Sequence, residues 1–497
     1  PPRALLTYDR QPDLLPLGVV PDEDNGERPV GVRLADTYFS FMTGRSRYGK
    51  TESAIVRFVA LARAGHGGLF LDPHADALAR MKPYLADLED RVVEINLAPR
   101  GRAARQAGWN LFSMEGRTSE DVESRVSAVV DSFASALQWG EVNNRALTLT
   151  TMAAQSLCEL ALALPAELAP TLFQMTTILA DDEWRQAVLP YLSPASRSFW
   201  ETRFGKLAAD AITPVTNIVD RLRSSATIAA LFGSSRSTYD VRAAMDAGKV
   251  VLACPAGTGD KDRLVANFFI YDLLQAALSR KDLAPEDRRP FHVFVDEMQS
   301  VDGAAKGNLA ALLEQCGKYG IRLHAMAQQP TRLTKTTLDA LLTNRSHLMS
   351  TVVGADSAKL LAREWAHKVH PDTITQLEKY HFIGSVTIAG QTTSPFRFRG
   401  FEISEVFGDI ANPEGVAELD GQIDRNVGRR PVGAMLSELD GLDDAIKAHL
   451  SGKSGGPSPQ GPPQPNPPST PPPPSKPNST SAGSGRGSGR HLHVVGR

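Results

Sequence analysis

The eight residues Gly44-Arg45-Ser46-Arg47-Tyr48-Gly49-Lys50-Thr51 fill every fixed position of the pattern G-x-x-x-x-G-K-[ST]. Phosphate chemistry accounts for the spacing. The glycines let consecutive backbone N–H groups curl around a β-phosphate, and a helix N-terminus adds positive potential. Lys50 then reaches the β and γ oxygens, and the Thr51 hydroxyl binds Mg²⁺. ATP and Mg²⁺ are the expected ligands, while the bulk of Arg45, Arg47 and Tyr48 leaves nucleotide preference open. Phe291-His292-Val293-Phe294-Val295-Asp296-Glu297 reads as a buried strand ending in two acids. Beside a phosphate loop, Asp296 is expected to hold the metal's water shell and Glu297 to polarise the attacking water. Gln328, which closes the following strand ahead of Gln329-Pro330, is placed to hydrogen-bond the γ-phosphate or that water. Asp72, His74 and Asp76 are spaced for a metal, but a helix start fits the same spacing.

These groups need a scaffold that brings strand ends together. A short apolar run at 38–42, the loop, and helical periodicity over 51–64 read as strand, turn and helix. Further buried strands are expected at 69–71, 92–95, 250–253, 291–295, 321–326 and 347–353, with helical runs at 265–278 and 309–316 between the later ones. Alternation of this kind predicts an α/β fold with a mostly parallel sheet. A hairpin over 382–389 and 395–401 turns at Gly390. Residues 119–246 carry no strand pattern and read as an all-helical insertion.

The chain has 54 Lys and Arg against 56 Asp and Glu, a net charge of −2, with 42% hydrophobic residues. That composition is ordinary for a globular protein and excludes a polybasic, histone-like one. The apolar stretch 157–164 is broken by Glu159, so the sequence predicts no membrane-spanning helix. Cys158, Cys254 and Cys316 have neither disulfide nor zinc spacing. Pro1 in place of an initiating Met predicts residues upstream and leaves open whether a membrane anchor is among them. Residues 452–497 hold 12 of the 34 prolines and five cations without an acid. Too little of that tail is apolar to offset its ordering entropy, so it is expected to be disordered. His491-Leu492-His493 within it is too short for a metal box.

In their order the motifs resemble the FtsK/HerA superfamily of ring ATPases. The phosphate loop is followed by Leu71-Asp72-Pro73-His74-Ala75-Asp76, then by Asp296-Glu297, Leu312-Leu313-Glu314-Gln315, Lys318-Tyr319-Gly320-Ile321-Arg322 and Ala327-Gln328-Gln329-Pro330. Within that superfamily the sequence is most similar to the conjugative coupling proteins of type IV secretion, the TraG/TraD-like ATPases. The resemblance covers about residues 30–402 and includes the helical insertion. It implies a P-loop NTPase (RecA-like) fold and a homo-hexamer that hydrolyses ATP to move DNA, with relaxase and secretion-channel proteins as partners. The expected place is the cytoplasm, at the cytoplasmic face of a membrane if an anchor precedes the chain. Ala75 stands where the family has Gly. The acidic region after the hairpin is unlike a basic DNA-reading winged helix.

The resemblance also implies an arginine donated across the subunit border. Arg345, just before a strand and expected near the carboxyl-end loops where open α/β sheets bind ligands, and Arg322, entering another strand, are the candidates. Phe396-Arg397-Phe398-Arg399 sets both arginines on one strand face, toward DNA, a neighbour or water. Lys306, Arg332 and Lys335 are candidates for a pore lining.

The expected domains are an N-terminal extension (1–29), a P-loop motor in two parts (30–115 and 238–402), an all-α insert (116–237), an acidic helical segment (403–451) and the tail (452–497). Lys50, Glu297, Gln328 and Arg345 are the candidate catalytic residues, Gly44 to Thr51 the nucleotide-binding ones, and Thr51 with Asp296 the metal ligands. A protein-translocating motor and a nucleotide-switched docking protein that recruits its partner through the insert remain alternatives.

Overall fold

The computed structural model describes residues 1–22, 26–101, 103–139, 144–207, 209–302, 310 and 314–453. Nearly all of the tail, Lys306 and half of the helical run at 309–316 lie outside the described residues.

Three strands open the chain: β1 (Leu6–Thr7), β2 (Leu14–Asp22) and β3 (Gly26–Arg33). They are followed by β4 (Phe39–Thr43), β5 (Gly67–Leu71), β6 (Val92–Asn96), β7 (Arg105–Gln106), β8 (Val250–Cys254), β9 (Phe291–Val295), β10 (Ile321–Ala327) and β11 (His347–Ser350). After these come β12 (His381–Ile388), β13 (Gln391–Thr392), β14 (Phe396–Arg399) and β15 (Arg430–Pro431). Among the described residues, thirteen strands form one sheet in the order β1-β3-β2-β14-β12-β11-β4-β10-β9-β5-β8-β6, with β13 on β12.

From β11 to β6 every pairing is parallel. These strands are covered on both faces, which is why they read as unbroken apolar runs. From β11 outward through β12, β14, β2, β3 and β1 every pairing is antiparallel.

The expected 1–29 extension therefore does not stand apart from the motor. Its strands continue the sheet, and β2 covers the helix Lys50–Arg63. Pro16, Pro21 and Pro29 hid them, since proline reads as a breaker. The register shifts between Pro16 and Gly18. Gly18 is required there, because a Cβ would fall 2.2 Å from the Arg399 carbonyl oxygen.

Between β7 and β8 the described residues are helical, and the insert is built on Val122–Ala136 and Asn144–Ala163. It shares the motor's core. Phe133 and Phe232 pack on Phe268 of the helix Asp260–Ser279, and buried Arg125 pairs with buried Asp272. Asn144–Ala163 has the length and mean hydropathy, 1.2, of a membrane span, yet over half of its span-like window is buried in the insert. Glu159 is held there by the Ser193 amide and hydroxyl and the Ser196 hydroxyl.

The segment after the hairpin forms helices Ile403–Phe407, Val416–Asn426, Val432–Asp440 and Leu442–Lys453. It straps the insert to the sheet edge. Asp443 accepts from Gln174 and Thr177 of the insert, while Arg429 bonds Glu94 of β6 at 2.9 Å.

The P-loop strand β4 lies between β10 and β11, and its sequence neighbour β5 lies beyond β10 and β9. Connections leaving this point in opposite directions open a crevice at the carboxyl ends of the strands, where open α/β sheets bind ligands.

Candidate functional site

The loop after β4 is clamped by its neighbours. The Gly44 amide donates to the Ala327 carbonyl at 3.2 Å and the Arg45 amide to the Val352 carbonyl at 2.7 Å. Gly44 has φ +146°, and a Cβ there would lie 1.9 Å from Thr351 Oγ1, so only glycine fits. Gly49 has φ +105° and leads into the helix. Arg45, Ser46 and Arg47 are exposed, and Ser46 and Arg47 line the cleft that the loop borders.

Lys50 is buried, with Nζ 3.2 Å from the Arg45 carbonyl oxygen. Burial lowers its pKa, opposed by Asp296 and Glu297. Thr51 Oγ1 donates to Asp296 Oδ2 at 3.1 Å. Burial and the adjacent Glu297 push the Asp296 carboxyl up to about 6. A hydroxyl and a carboxylate, both oxygen donors at the foot of a phosphate cradle, fit Mg²⁺.

Glu297 sits past the end of β9 in the left-handed region, φ +57°. Its amide bonds Asp296 Oδ1 at 3.0 Å, which turns the side chain toward β10. Gln328 Nε2 donates to Glu297 Oε1 at 2.6 Å, and Gln299 holds the other oxygen. Both carboxylate oxygens thus already accept amide hydrogens. Asp72 caps the next turn, accepting from the His74 and Ala77 amides at 2.9 Å each. Its carboxylate therefore makes a helix start, and no group of three or more His, Cys, Asp or Glu among the described residues is arranged to hold a metal. Ala75 adopts φ +65°, the left-handed conformation that a glycine would take more easily.

Lys50, Thr51, Asp72, Asp296, Glu297 and Gln328 line one cleft of about 620 Å³. Lys379 and Tyr380 line it too, and no motif announced them. They reach it only because β12, which follows them, pairs antiparallel beside β11.

Arg345 and Arg322 are not brought to this cleft. Expecting Arg345 near the carboxyl-end loops mistook the strand's direction. β11 pairs from His347↔Ser40 to Ser350↔Thr43, so its carboxyl end adjoins the P-loop and Arg345 precedes the other end. There it pairs with Glu364 at 3.2 Å. Arg322 enters β10 from the same far edge, with its guanidinium over the Tyr38 ring.

On β14, Phe396 and Phe398 are buried, while Arg397 pairs with Glu378 and Arg399 with Glu27 and Glu405. Arg332 and Lys335 are exposed beyond Gln329.

No protein-family model matches the chain, and no curated protein does. Among solved structures it is similar to the unbound bacterial conjugative coupling protein TrwBdeltaN70, at 14% identity and TM-score 0.53 over 74% of this chain and 86% of that one. The plasmid coupling protein TrwB in complex with ADP and Mg²⁺ is similar at 15% identity and TM-score 0.52, over 75% and 88%. VirB4 of Thermoanaerobacter pseudethanolicus is similar at 13% identity and TM-score 0.53, over 80% and 98%. At such identities the likeness is one of fold: the mostly parallel sheet with its P-loop is the fold of these coupling proteins and of VirB4.

Proposed function

We propose that this chain is an Mg²⁺-dependent ATPase that works as a homo-hexameric ring and translocates DNA, in the manner of a conjugative coupling protein. The observation that carries this reading is the convergence of Lys50, Thr51, Asp296, Glu297 and Gln328 in one cleft, from the carboxyl ends of the adjacent strands β4, β10 and β9. Similarity in fold to TrwB, solved with ADP and Mg²⁺, supports the choice of ligands.

Lys50 and the loop amides bind the phosphates. Thr51 and Asp296 would hold Mg²⁺, which would supply positive charge against the transferring phosphate. Glu297 takes a proton from water as the water oxygen attacks the γ-phosphorus and the bond to the bridging oxygen of ADP breaks. Gln328 orients Glu297 and, once ATP is bound, the water. Each Glu297 oxygen keeps a second lone pair beside the glutamine amide it accepts, so the carboxylate receives water with both amides in place.

Arg332 and Lys335, repeated around a ring, would give DNA phosphates a positive collar. Relaxase and channel proteins are the partners that this role entails. A motor with the same site that moves protein instead of DNA is the second reading.

ATPase assays of the full chain with and without single- and double-stranded DNA test the proposal. Turnover raised several-fold by either DNA is expected. Turnover indifferent to both would favour protein cargo or a docking role.

A further inference from the structure

The P-loop accounts for phosphates but not for what they are attached to. Tyr380 marks that place. It holds φ +66°, a conformation that an aromatic residue seldom adopts. Two backbone hydrogen bonds fix it there: its amide donates to the Tyr48 carbonyl of the P-loop at 3.2 Å, and its carbonyl accepts from the Gly400 amide at 2.8 Å. The ring closes so tightly on the loop that a Cβ at Gly49 would lie 2.9 Å from its Cδ1. Even so it keeps 36% of its surface exposed, among the most exposed large hydrophobic side chains described. The Lys379 ammonium lies 4.6 Å from the ring centroid, and both residues line the phosphate cleft.

A second cavity of about 430 Å³ continues from the cleft, sharing Tyr380, Glu52 and Arg80 with it. Tyr84, Pro83 and Ile403 supply apolar wall, Ser404 a hydroxyl and Glu402 a carboxylate. A strained aromatic held rigidly at the junction of a phosphate cleft and a half-apolar cavity has the chemistry of a base-stacking platform.

We propose that Tyr380 is the stacking platform for the nucleotide's purine base, with the base entering the cavity between Tyr380 and Tyr84. This assignment rests on the nucleotide reading of the P-loop and names the part of the ligand that the motif does not specify. Rings of purine size gain more stacking area than pyrimidines, so the subsite favours ATP and GTP over CTP.

Calorimetric titration of the full chain with Mg²⁺ and ATP, CTP or inorganic tripolyphosphate tests it, in wild type, Tyr380→Ala and Tyr380→Phe. Wild type is expected to bind ATP more tightly than CTP or tripolyphosphate. Tyr380→Ala should lose about fivefold or more for ATP and keep its tripolyphosphate affinity, while Tyr380→Phe should stay within about twofold of wild type for both. A Tyr380→Ala variant that keeps ATP affinity, or that loses tripolyphosphate equally, overturns the platform. Equal wild-type affinity for ATP and tripolyphosphate overturns the base subsite alone. Wild type that binds neither ligand overturns the nucleotide reading beneath it.

Discussion

Glu297 is over-determined: its left-handed backbone, its bond to Asp296 and the two glutamine amides all fix one carboxylate orientation. Glu297→Gln keeps the shape and removes the base. We expect nucleotide affinity within about threefold of wild type and turnover reduced at least tenfold, about 1.4 kcal/mol of barrier. Single-turnover kinetics beside equilibrium binding checks both, and a smaller loss of turnover would take the catalytic role from Glu297.

Arg345 poses the reverse case. Its half-buried pair with Glu364 predicts that Arg345→Ala costs about 1 kcal/mol of stability and leaves turnover within about twofold. A double-mutant cycle with Glu364→Ala measures the coupling, and a collapse of turnover instead would return Arg345 to a role across a subunit border. The P-loop and Asp296-Glu297 were legible because phosphate and metal chemistry fix residue types at short spacing. Arg345 was misplaced although its position was deducible: a residue just ahead of a parallel strand lies at the edge opposite the carboxyl-end site.

Across the sheet runs a row of buried histidines. His292 Nδ1 and His324 Nε2 are 3.1 Å apart, His324 Nδ1 is 2.8 Å from Ser40 Oγ, and His347 Nε2 is 2.9 Å from Thr37 Oγ1. Burial first, then neighbouring cations and rings including Arg57, Arg322 and His66, hold His292 and His324 well below their ordinary value, and burial with Arg57 brings His347 down to about 3. The folded state keeps all three neutral while the unfolded chain protonates near 6.5. Their stabilisation is therefore complete above pH 6.5 and is lost as pH falls below it, by up to about 1.4 kcal/mol per pH unit for each.

Asp296 acts in the opposite sense, since its raised value favours the folded state as pH falls through about 6. One group does not offset three. Urea midpoints at pH 7.5, 6.5 and 5.5 should hold between the first two and drop sharply at the third. A midpoint unchanged at pH 5.5 would mean that the row opens and protonates without cost. The parallel strands were legible from apolar runs, but the histidines within them gave no signal. Their burial depends on a cross-strand register that no local pattern contains. The N-terminal strands were illegible for a different reason, since their prolines sit where edge and bulge positions tolerate them.

At the scale of the molecule, residues 1–452 form one compact unit, and insert, motor and strap share a single core. They should unfold together. Trp184 and Trp200 report on the insert, Trp109 and Trp365 on the motor and sheet. Thermal melts followed by tryptophan fluorescence, in variants that retain one pair or the other, are expected to superimpose on each other and on the loss of helical circular dichroism. An insert transition several degrees below the motor's would show that the shared core does not couple them.

The helix Asn144–Ala163 also bears on how the protein is made. Within it Glu159 leaves the ribosome 34 residues ahead of Ser193, whose amide and hydroxyl later join Gln155 on its carboxylate, so for several seconds of synthesis a span-like segment is exposed with that charge held only from within its own helix. During that interval the charge is what discourages a translocon from accepting the segment. Glu159→Leu should therefore divert nascent chains into the membrane fraction of expressing cells, before any difference in the folded protein has arisen. Wild-type partitioning of that variant would assign the sorting to folding speed alone.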